Sequence, residues 1–446
     1  MTCRRFIVAF LILLTAAGIK AQDFARIGER TISGSARYVG MSGAMTAIGG
    51  DPSAALDNPA GLGLYRRSEA MLTFGYAWDR TWQDPNKTPA QRANRFYVPQ
   101  ASLVFNVGPY NYTENGVLFN SIMLSYRCLH LFSRDMFAGE DEGASLGALL
   151  ATTGVDLGIK YCMDANHNGN AFKLSESGSV NEFAIDWGMN ISNKWYVGAG
   201  IHIQSHSMTA NGKYQEQFNQ WNDAGTIYSN VNETYLRYTG VGFNFNAGVI
   251  YRPISWLRFG FSIQTPTLGT MNIYSRGSLW AQTDSLRLTE APNIVTPARD
   301  FHMPLRTSIS AAFQCGYYGM LALQYDYRHQ KGELDVHSLR AGLEVVPIAG
   351  MYINAGYAYE STFTSKNFIV PVDPVLDRQD TYFQNMRHTQ YVSGAIGFRG
   401  KQVIVQAAYQ FRWQGLNLFA HEKAIAYNMH TDTHRLVLTI GWHQGW

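Results

Sequence analysis

Charge is scarce in this chain: only 15% of its 446 residues are Asp, Glu, Lys or Arg, against about 25% in average soluble proteins. Cysteine is scarcer, four in all and without a CxxC pair, which excludes a disulfide framework and a cysteine zinc site. No Lys/Arg cluster accompanies the net charge of +3, so no nucleic-acid partner is expected. Beyond the first residues, no run reaches the roughly 18 apolar residues a helix needs to cross a bilayer. No Walker, dinucleotide, zinc-protease or haem-attachment pattern occurs. Neither a cofactor nor a metal is expected.

Met1–Ala21 reads as a signal peptide. Arg4 and Arg5 form its charged start, Phe6–Ala17 its apolar stretch, and Ile19-Lys20-Ala21 a cleavage site before Gln22. The stretch is short for a permanent helical anchor, and no Cys at the cleavage site marks a lipoprotein. Removal leaves Cys128, Cys162 and Cys315. A Cys128–Cys162 bridge and unpaired thiols are both open.

What is abundant points to a membrane of another kind. Aromatics reach 13%, with 26 Tyr and 10 Trp, Gly numbers 42 and mean hydropathy is −0.17. A helical membrane bundle would be far more apolar. A β-barrel fits, because only alternate residues meet lipid and the others face a wet lumen. From Ser68 onward the sequence alternates with period two. Ala70, Leu72, Phe74, Tyr76 and Trp78 oppose Glu69, Met71, Thr73, Gly75 and Ala77. Phe183, Ile185, Trp187 and Met189 oppose Glu182, Ala184, Asp186, Gly188 and Asn190. Val241, Phe243 and Phe245 oppose Gly242, Asn244 and Asn246, and Val405, Tyr409 and Phe411 oppose Gln406, Gln410 and Arg412. The last stretch sets Leu436, Leu438, Ile440, Trp442 and Trp446 on one face. Its aromatic end resembles the signal read by the barrel-assembly machinery, an expected partner.

About 14 strands follow, beginning near residues 68, 97, 119, 180, 195, 234, 256, 303, 318, 337, 351, 389, 402 and 434. Connections after even strands are mostly short turns, such as Ser192-Asn193-Lys194 and Gly400-Lys401. Those after odd strands are mostly long: Leu129–Ser179, Ser207–Glu233, Leu268–His302, Ser361–Thr389 and Gln414–Thr433. Short inside and long outside is the pattern of outer-membrane barrels. The expectation is an all-β, antiparallel transmembrane barrel over residues 68–446, multi-pass in a Gram-negative outer membrane among its lipid and lipopolysaccharide.

Residues 22–67 do not alternate. They are rich in small residues and poor in charge after Arg37, as a piece packed inside the lumen would be. Ala44–Ile48 reads as one short helix; Asp51 and Pro52 cap and start another, which Pro59 ends. Gly34-Ser35-Ala36-Arg37, Gly40-Met41-Ser42-Gly43-Ala44 and above all Asn58-Pro59-Ala60-Gly61 before the first strand resemble the FadL-type outer-membrane transporters of long-chain fatty acids and aromatic hydrocarbons. The resemblance is at motif level over residues 34–67 and architectural beyond. It implies a 14-stranded barrel with an N-terminal hatch folded inside, of which Asn58, Pro59, Ala60 and Gly61 form the hallmark turn. It also implies passive, hatch-gated passage of a hydrophobic small molecule, captured by a greasy groove among the outer loops and released past the hatch or sideways through the wall. Candidate ligand surface in the longest loop is Leu131, Phe132, Met136, Phe137, Leu146, Leu149 and Leu150; packing of the loop on itself is the plainer reading. Some barrels of this kind are shuttle proteins of the type IX secretion system, which gives a second functional reading.

Other motifs are weak. Gly143-Ala144-Ser145-Leu146-Gly147 matches a nucleophile elbow but lacks the buried strand before it, and no enzymatic role is expected. Asp164–Gly169 opens like a calcium loop, yet Ser175 stands at its twelfth position. His202 and His206, four residues apart on one strand, are about 13 Å apart and too far to share a metal. The lumen charges Glu182, Asp186, Arg258, Arg306, Asp326, Arg328, Arg340, Glu344 and Arg412 are mixed in sign, suited to pairing across the interior and holding the hatch.

Overall fold

The computed structural model describes residues 28–84, 90–108, 116–140, 167–218, 227–283, 287–290, 293–329, 335–362, 364, 382–421 and 424–444. Met1–Ala21, Cys162, Gly143–Gly147, Asp164–Asn166, the candidates Leu146, Leu149 and Leu150, and Trp446 lie outside these. Cys128 and Cys315 are free thiols.

All strands belong to one sheet. They are β1 (Glu69–Gln83), β2 (Gln91–Val107), β3 (Val117–Phe132), β4 (Asp135–Glu140), β5 (His167–Ile191), β6 (Trp195–Phe218), β7 (Ile227–Ile254), β8 (Leu257–Gln264), β9 (Leu268–Thr283), β10 (Arg287–Glu290), β11 (Asn293–His302), β12 (Leu305–Gln314), β13 (Gly319–His329), β14 (Val336–Ile348), β15 (Met351–Glu360), β16 (Phe383–Arg399), β17 (Val403–Phe419) and β18 (Tyr427–His443). Three wall strands are interrupted. β3 and β4 both pair with β5, β8 and β9 both pair with β7, and β10 and β11 continue β12 along the β9–β8 edge. The 18 segments therefore make 14 wall strands. β18 pairs with β1 from Glu69↔His443 to Gln83↔Met429, which closes the barrel. Closure is what lets a sheet sit in hydrocarbon, where an unpaired backbone amide costs several kcal/mol.

Outward side chains of the lipid band are those the alternation assigned. Phe183, Ile185, Ile201, Ile203, Phe243 and Phe245 are about half exposed, while Glu182, Ala184, His202, Gln204 and Asn244 on the same strands are buried inside. The chain is thus a multi-pass barrel of the outer membrane.

Most of the expected long loops are not loops. β6 and β7 run through much of Ser207–Glu233, and β9 to β11 occupy most of Leu268–His302. β3 and β4 carry the chain to residue 140, and β5 begins at His167. These extensions escape a search for apolar outward rows because the chemistry of the two faces inverts there while the phase continues. On β6, Ile201 and Ile203 face out and His202 and Gln204 face in; further up, Asn211 and Lys213 face out and Met208 and Ala210 face in. The same switch occurs on β5, β7, β17 and β18. The strands rise out of the lipid as a cup that is polar outside and apolar inside. β3 departs most: Arg127, Cys128, Leu129 and His130 are all buried, a register shift falls at Cys128/His130, and the β2–β3 ladder stops at Gln100↔Arg127. β4 then leans inward, where Gly139 exchanges two 2.9 Å hydrogen bonds with the Gln83 side chain of β1.

The N-terminal segment lies within the ring. It has helix α1 (Ala36–Gly40), helix α2 (Pro52–Asp57) and a 3-10 helix (Pro59–Leu64). Asp51 caps α2 through Ser53 N–H, with Pro52 in its first turn, as the sequence indicates. The expected helix at Ala44–Ile48 is instead a pair of turns, because Ser42, Gly43, Gly49 and Gly50 flank it at positive φ (48°, 74°, 63° and 64°); the helix forms earlier, capped by the Ser35 hydroxyl.

A row of glycines seats the 3-10 helix. Gly188, Gly198 and Gly248 stand directly opposite one another on β5, β6 and β7. A Cβ on Gly198 would lie 2.4 Å from the Pro59 carbonyl carbon, one on Gly188 2.5 Å from the Pro59 oxygen, and one on Gly248 2.0 Å from Asn58 Oδ1. A second pair, Gly342 and Gly356, is likewise opposed and receives Met41. Gly198→Val is expected to leave the strand ladder and the barrel intact but to unseat the 3-10 helix. Faster hydrogen exchange at residues 52–64 with an unchanged heat-dependent gel shift is the result that checks it.

Candidate functional site

Three layers fill the barrel above the glycine seat. The lowest is the turn at Asn58-Pro59-Ala60-Gly61. Asn58 is fully buried; its Nδ2 donates to Thr46 O (2.9 Å) and more weakly to Val249 O (3.4 Å), while its Oδ1 accepts from Ala60 N–H (3.2 Å). One amide side chain thus caps the 3-10 helix, ties it to the preceding turn and touches the wall. Wall side chains satisfy the neighbouring backbone. Thr439 accepts from Ala36 N–H (2.8 Å), Asn246 donates to Leu56 O (2.8 Å) and Arg258 donates to Ile48 O (3.0 Å).

The middle layer is ionic. Asp57, at the end of α2, accepts from Arg127 of β3 and Arg306 of β12, each at 3.0 Å, and from the Tyr38 hydroxyl. Asp326 of β13 lies 3.0 Å from Arg340 and 3.5 Å from Arg306. Glu182 of β5 pairs with Arg127 (3.0 Å) and lies 3.3 Å from His202, whose other nitrogen is 3.0 Å from Asp186. Arg37 of α1 binds Glu344 of β14 through two nitrogens at 2.6 and 2.8 Å. Higher up, Glu29 pairs with Arg134 (2.9 Å) and Arg412. A cavity of ≈ 30 Å³ lies among Arg30, Asp57, Arg127, Arg306, Arg328 and Arg340. Burial alone would raise the Asp57 carboxyl, but the guanidiniums of Arg306, Arg127 and Arg340 outweigh it and hold the group well below the carboxylate range. Glu29 is held low in the same way by Arg134, His130 and Arg412. Burial and the Asp57 charge push the Tyr38 hydroxyl up to about 12, so at neutral pH it remains a donor. Among the described residues no group of His, Cys, Asp and Glu is placed to hold a metal ion.

The upper layer is an apolar chamber inside the protruding cup. Phe132, Met136, Phe172, Leu174, Met208, Leu236, Tyr238, Met271, Ile273, Phe301, Leu416 and Met429 are buried in one cluster drawn from wall strands all round the barrel. Six of its members are methionines: Met136, Met208, Met271, Met303, Met386 and Met429. Methionine is flexible and polarisable, and recurs where a surface must fit apolar partners of differing shape. Tyr382 stacks obliquely on Phe172, 5.6 Å between rings, and the chamber is filled by its own side chains. Of the sequence candidates, Phe132 and Met136 lie in this chamber on inward strand faces, not in an outer loop groove. Leu131 and Phe137 are half-buried on the opposite faces of the same strands. Sequence reasoning missed the contributions from β5 to β18, although apolar residues at the lumen phase beyond each lipid row were there to be read.

A closed antiparallel barrel with an N-terminal segment inside its lumen and an apolar cup defines a class by architecture: outer-membrane β-barrels with an internal N-terminal segment. Among solved structures the chain is similar to a Pseudomonas aeruginosa FadL homologue (13% identity, 93% of this chain and 99% of that one, TM-score 0.57). It is also similar to the Ralstonia pickettii toluene transporter TbuX (12%, 92% and 98%, 0.54) and the P. putida toluene transporter TodX (12%, 93% and 99%, 0.53). The likeness is one of fold over nearly the whole chain. No family model matches the sequence, and no curated protein matches it.

Asp57→Asn removes the charge that two buried guanidiniums share. The expected cost is about 3–5 kcal/mol, seen as protease sensitivity of residues 28–67 while the barrel stays folded. Because Asp57 and Glu29 titrate below their ordinary values, their contribution is complete above the usual carboxylate range and is lost only as pH falls towards the depressed values. Protection of the segment is expected to be flat from about pH 8 to 5 and to decline below about pH 4; exchange measured across that series checks it.

Proposed function

We propose that the protein carries hydrophobic small molecules across the outer membrane without energy input, by passage through a chamber gated by its N-terminal hatch. The observation that carries this reading is the Met-rich apolar chamber held above the lipid on an otherwise polar cup. Greasy molecules do not readily partition through a polysaccharide-coated leaflet, so an apolar surface has to be offered beyond it, and a water-filled pore would not do this. Long-chain fatty acids and aromatic hydrocarbons are the proposed substrates, because apolar and aromatic side chains form one continuous cluster in the cup, beside buried polar groups such as Glu176, Glu216 and His421. In this reading Phe132 and Met136 contact the ligand and the Asn58–Gly61 turn anchors the hatch. The end of the β2–β3 ladder at Gln100↔Arg127 offers a way out through the wall, and the solved toluene transporters similar in fold fit the same class of substrate.

Two measurements test the two parts of the proposal. Met208→Glu with Leu236→Glu places charge in the chamber and is expected to lower uptake of a fluorescent fatty acid or toluene at least tenfold, leaving antibiotic permeability unchanged. Uptake equal to wild type rejects a chamber route. Ser42 of the hatch and Ser393 of β16 have hydroxyls 2.6 Å apart. A Ser42→Cys/Ser393→Cys pair is expected to block uptake when oxidised and restore it on reduction; full uptake in the oxidised form rejects hatch movement.

A further inference from the structure

The outer face of the cup is not uniform. On β5, β6, β7 and β9 the outward residues form rows set by the ladders. The last row that is apolar throughout is Phe183, Ile203 and Phe243, with Val241 of β7 still exposed one row higher. Above the apolar row stand Asn181, Ser205, Val241 and Thr270, then Ser179, Ser207, Thr239 and Asn272, then Ser177, Thr209, Arg237 and Tyr274. Next come Ser175, Asn211, Tyr235 and Arg276, and finally Lys173, Lys213 and Glu233. A cleft of ≈ 800 Å³ opens over the upper rows, lined by Lys173, Asn211, Lys213, Tyr235, Tyr274 and Arg276 among others.

Three features of this face call for an anionic occupant. Lys173 and Lys213 stand directly opposite across the ladder, a like-charge pairing that destabilises a sheet unless something neutralises it. Glu233, 2.8 Å from Lys213, compensates one of the two. Arg237 and Arg276, both exposed, are opposed to tyrosines and not to acids. Four cations therefore face two carboxylates among the described residues of these rows, Glu233 and, on the adjoining β4, Asp135, which accepts from the Ser175 hydroxyl at 2.6 Å. Tyr235 and Tyr274 pack edge to face, 5.7 Å apart, and present an aromatic surface between the cations; the intervening rows are hydroxyl and amide groups.

Height selects the anion. Arg237 is four residues beyond Val241, the last exposed apolar residue of that stretch of β7, and Lys173 is ten residues beyond Phe183. At about 3.4 Å per residue and a tilt near 45°, the cations stand roughly 10–24 Å above the hydrocarbon. Phospholipid headgroups occupy only about 5–8 Å there, and their phosphates do not reach. A glycolipid does: its chains lie against the apolar band, its sugars against the hydroxyl and tyrosine rows, and its core phosphates or carboxylates against the lysines and arginines.

We propose that the outer face of β5, β6, β7 and β9 is a binding site for the anionic inner saccharide of lipopolysaccharide, recognised by Lys173, Lys213, Arg237 and Arg276 with Tyr235 and Tyr274 as the sugar platform. The site lies outside the lumen and is independent of what the chamber carries.

The test uses the full-length barrel in nanodiscs, titrated with rough-core lipopolysaccharide or with phosphatidylglycerol. Each cation near an anionic surface contributes about fivefold in affinity. The Lys173→Gln/Lys213→Gln/Arg237→Gln/Arg276→Gln variant is therefore expected to bind lipopolysaccharide at least tenfold more weakly, and Glu233→Gln more tightly than wild type. Wild-type affinity in the fourfold variant overturns the proposal. So does equal binding of phosphatidylglycerol and lipopolysaccharide by the wild type, which would mean charge attraction without a saccharide site. Retention of the folded band on unheated gels checks closure; should the fourfold variant fail it, Lys173→Gln/Lys213→Gln is judged by the same criterion, with a loss of about tenfold expected and no loss overturning the proposal.

Discussion

Backbone amides in hydrocarbon have nowhere to turn but to the next strand, and this protein obeys that rule through an unbroken ring from β1 to β18. Once the ring closes, each strand has one side towards lipid and one towards the lumen, and the phase of its side chains cannot change without a bulge. The rest of the molecule is written on that fixed phase. Within the lipid the outward residues are apolar and the inward ones polar. Above it the same phase carries the opposite chemistry, and the barrel becomes a cup with an oily inside.

The ionic layer separates that oily interior from the plug beneath it. Buried charges rarely stabilise a fold by themselves, since desolvation offsets most of their attraction. Here their geometry gives register. Asp57 meets Arg127 and Arg306 from two separate strands of the wall, β3 and β12, and Arg37 is gripped in parallel by Glu344. Together with the wall hydrogen bonds from Thr439, Asn246 and Arg258, these pairs fix the rotation of the segment inside the ring of strands. The glycine rows set how deep it sits; the ion pairs set which way it faces.

Much of this was legible beforehand. Alternation at Ala70–Trp78, Phe183–Met189 and Leu436–Trp442 gave the barrel and its lipid face, because period two has one meaning once one face must be greasy. The cap at Asp51 and the break at Pro59 were equally readable, being local. What stayed hidden was of two kinds. The strand extensions of β6, β7 and β9 resemble loops in sequence since their outward residues are polar, and only the inversion of faces reveals them. The glycine seat and the Asp57 cluster are assembled across the ladder, Arg127 lying 70 and Arg306 249 residues from Asp57. No local window contains them. The helix expected at Ala44–Ile48 failed for the opposite reason: composition suggested it, but positive φ at Ser42, Gly43, Gly49 and Gly50 leaves no room for a turn to propagate.

The hydrogen bond from Ala36 N–H to Thr439 joins residues 403 apart, and neighbouring contacts reach Gln406 and Ser393. The part of the plug that leaves the ribosome early thus finds its partners on the three strands made last. Seating of this segment is therefore coupled to closure of the wall: the contacts that hold its first helix exist only when the last strands stand beside the first.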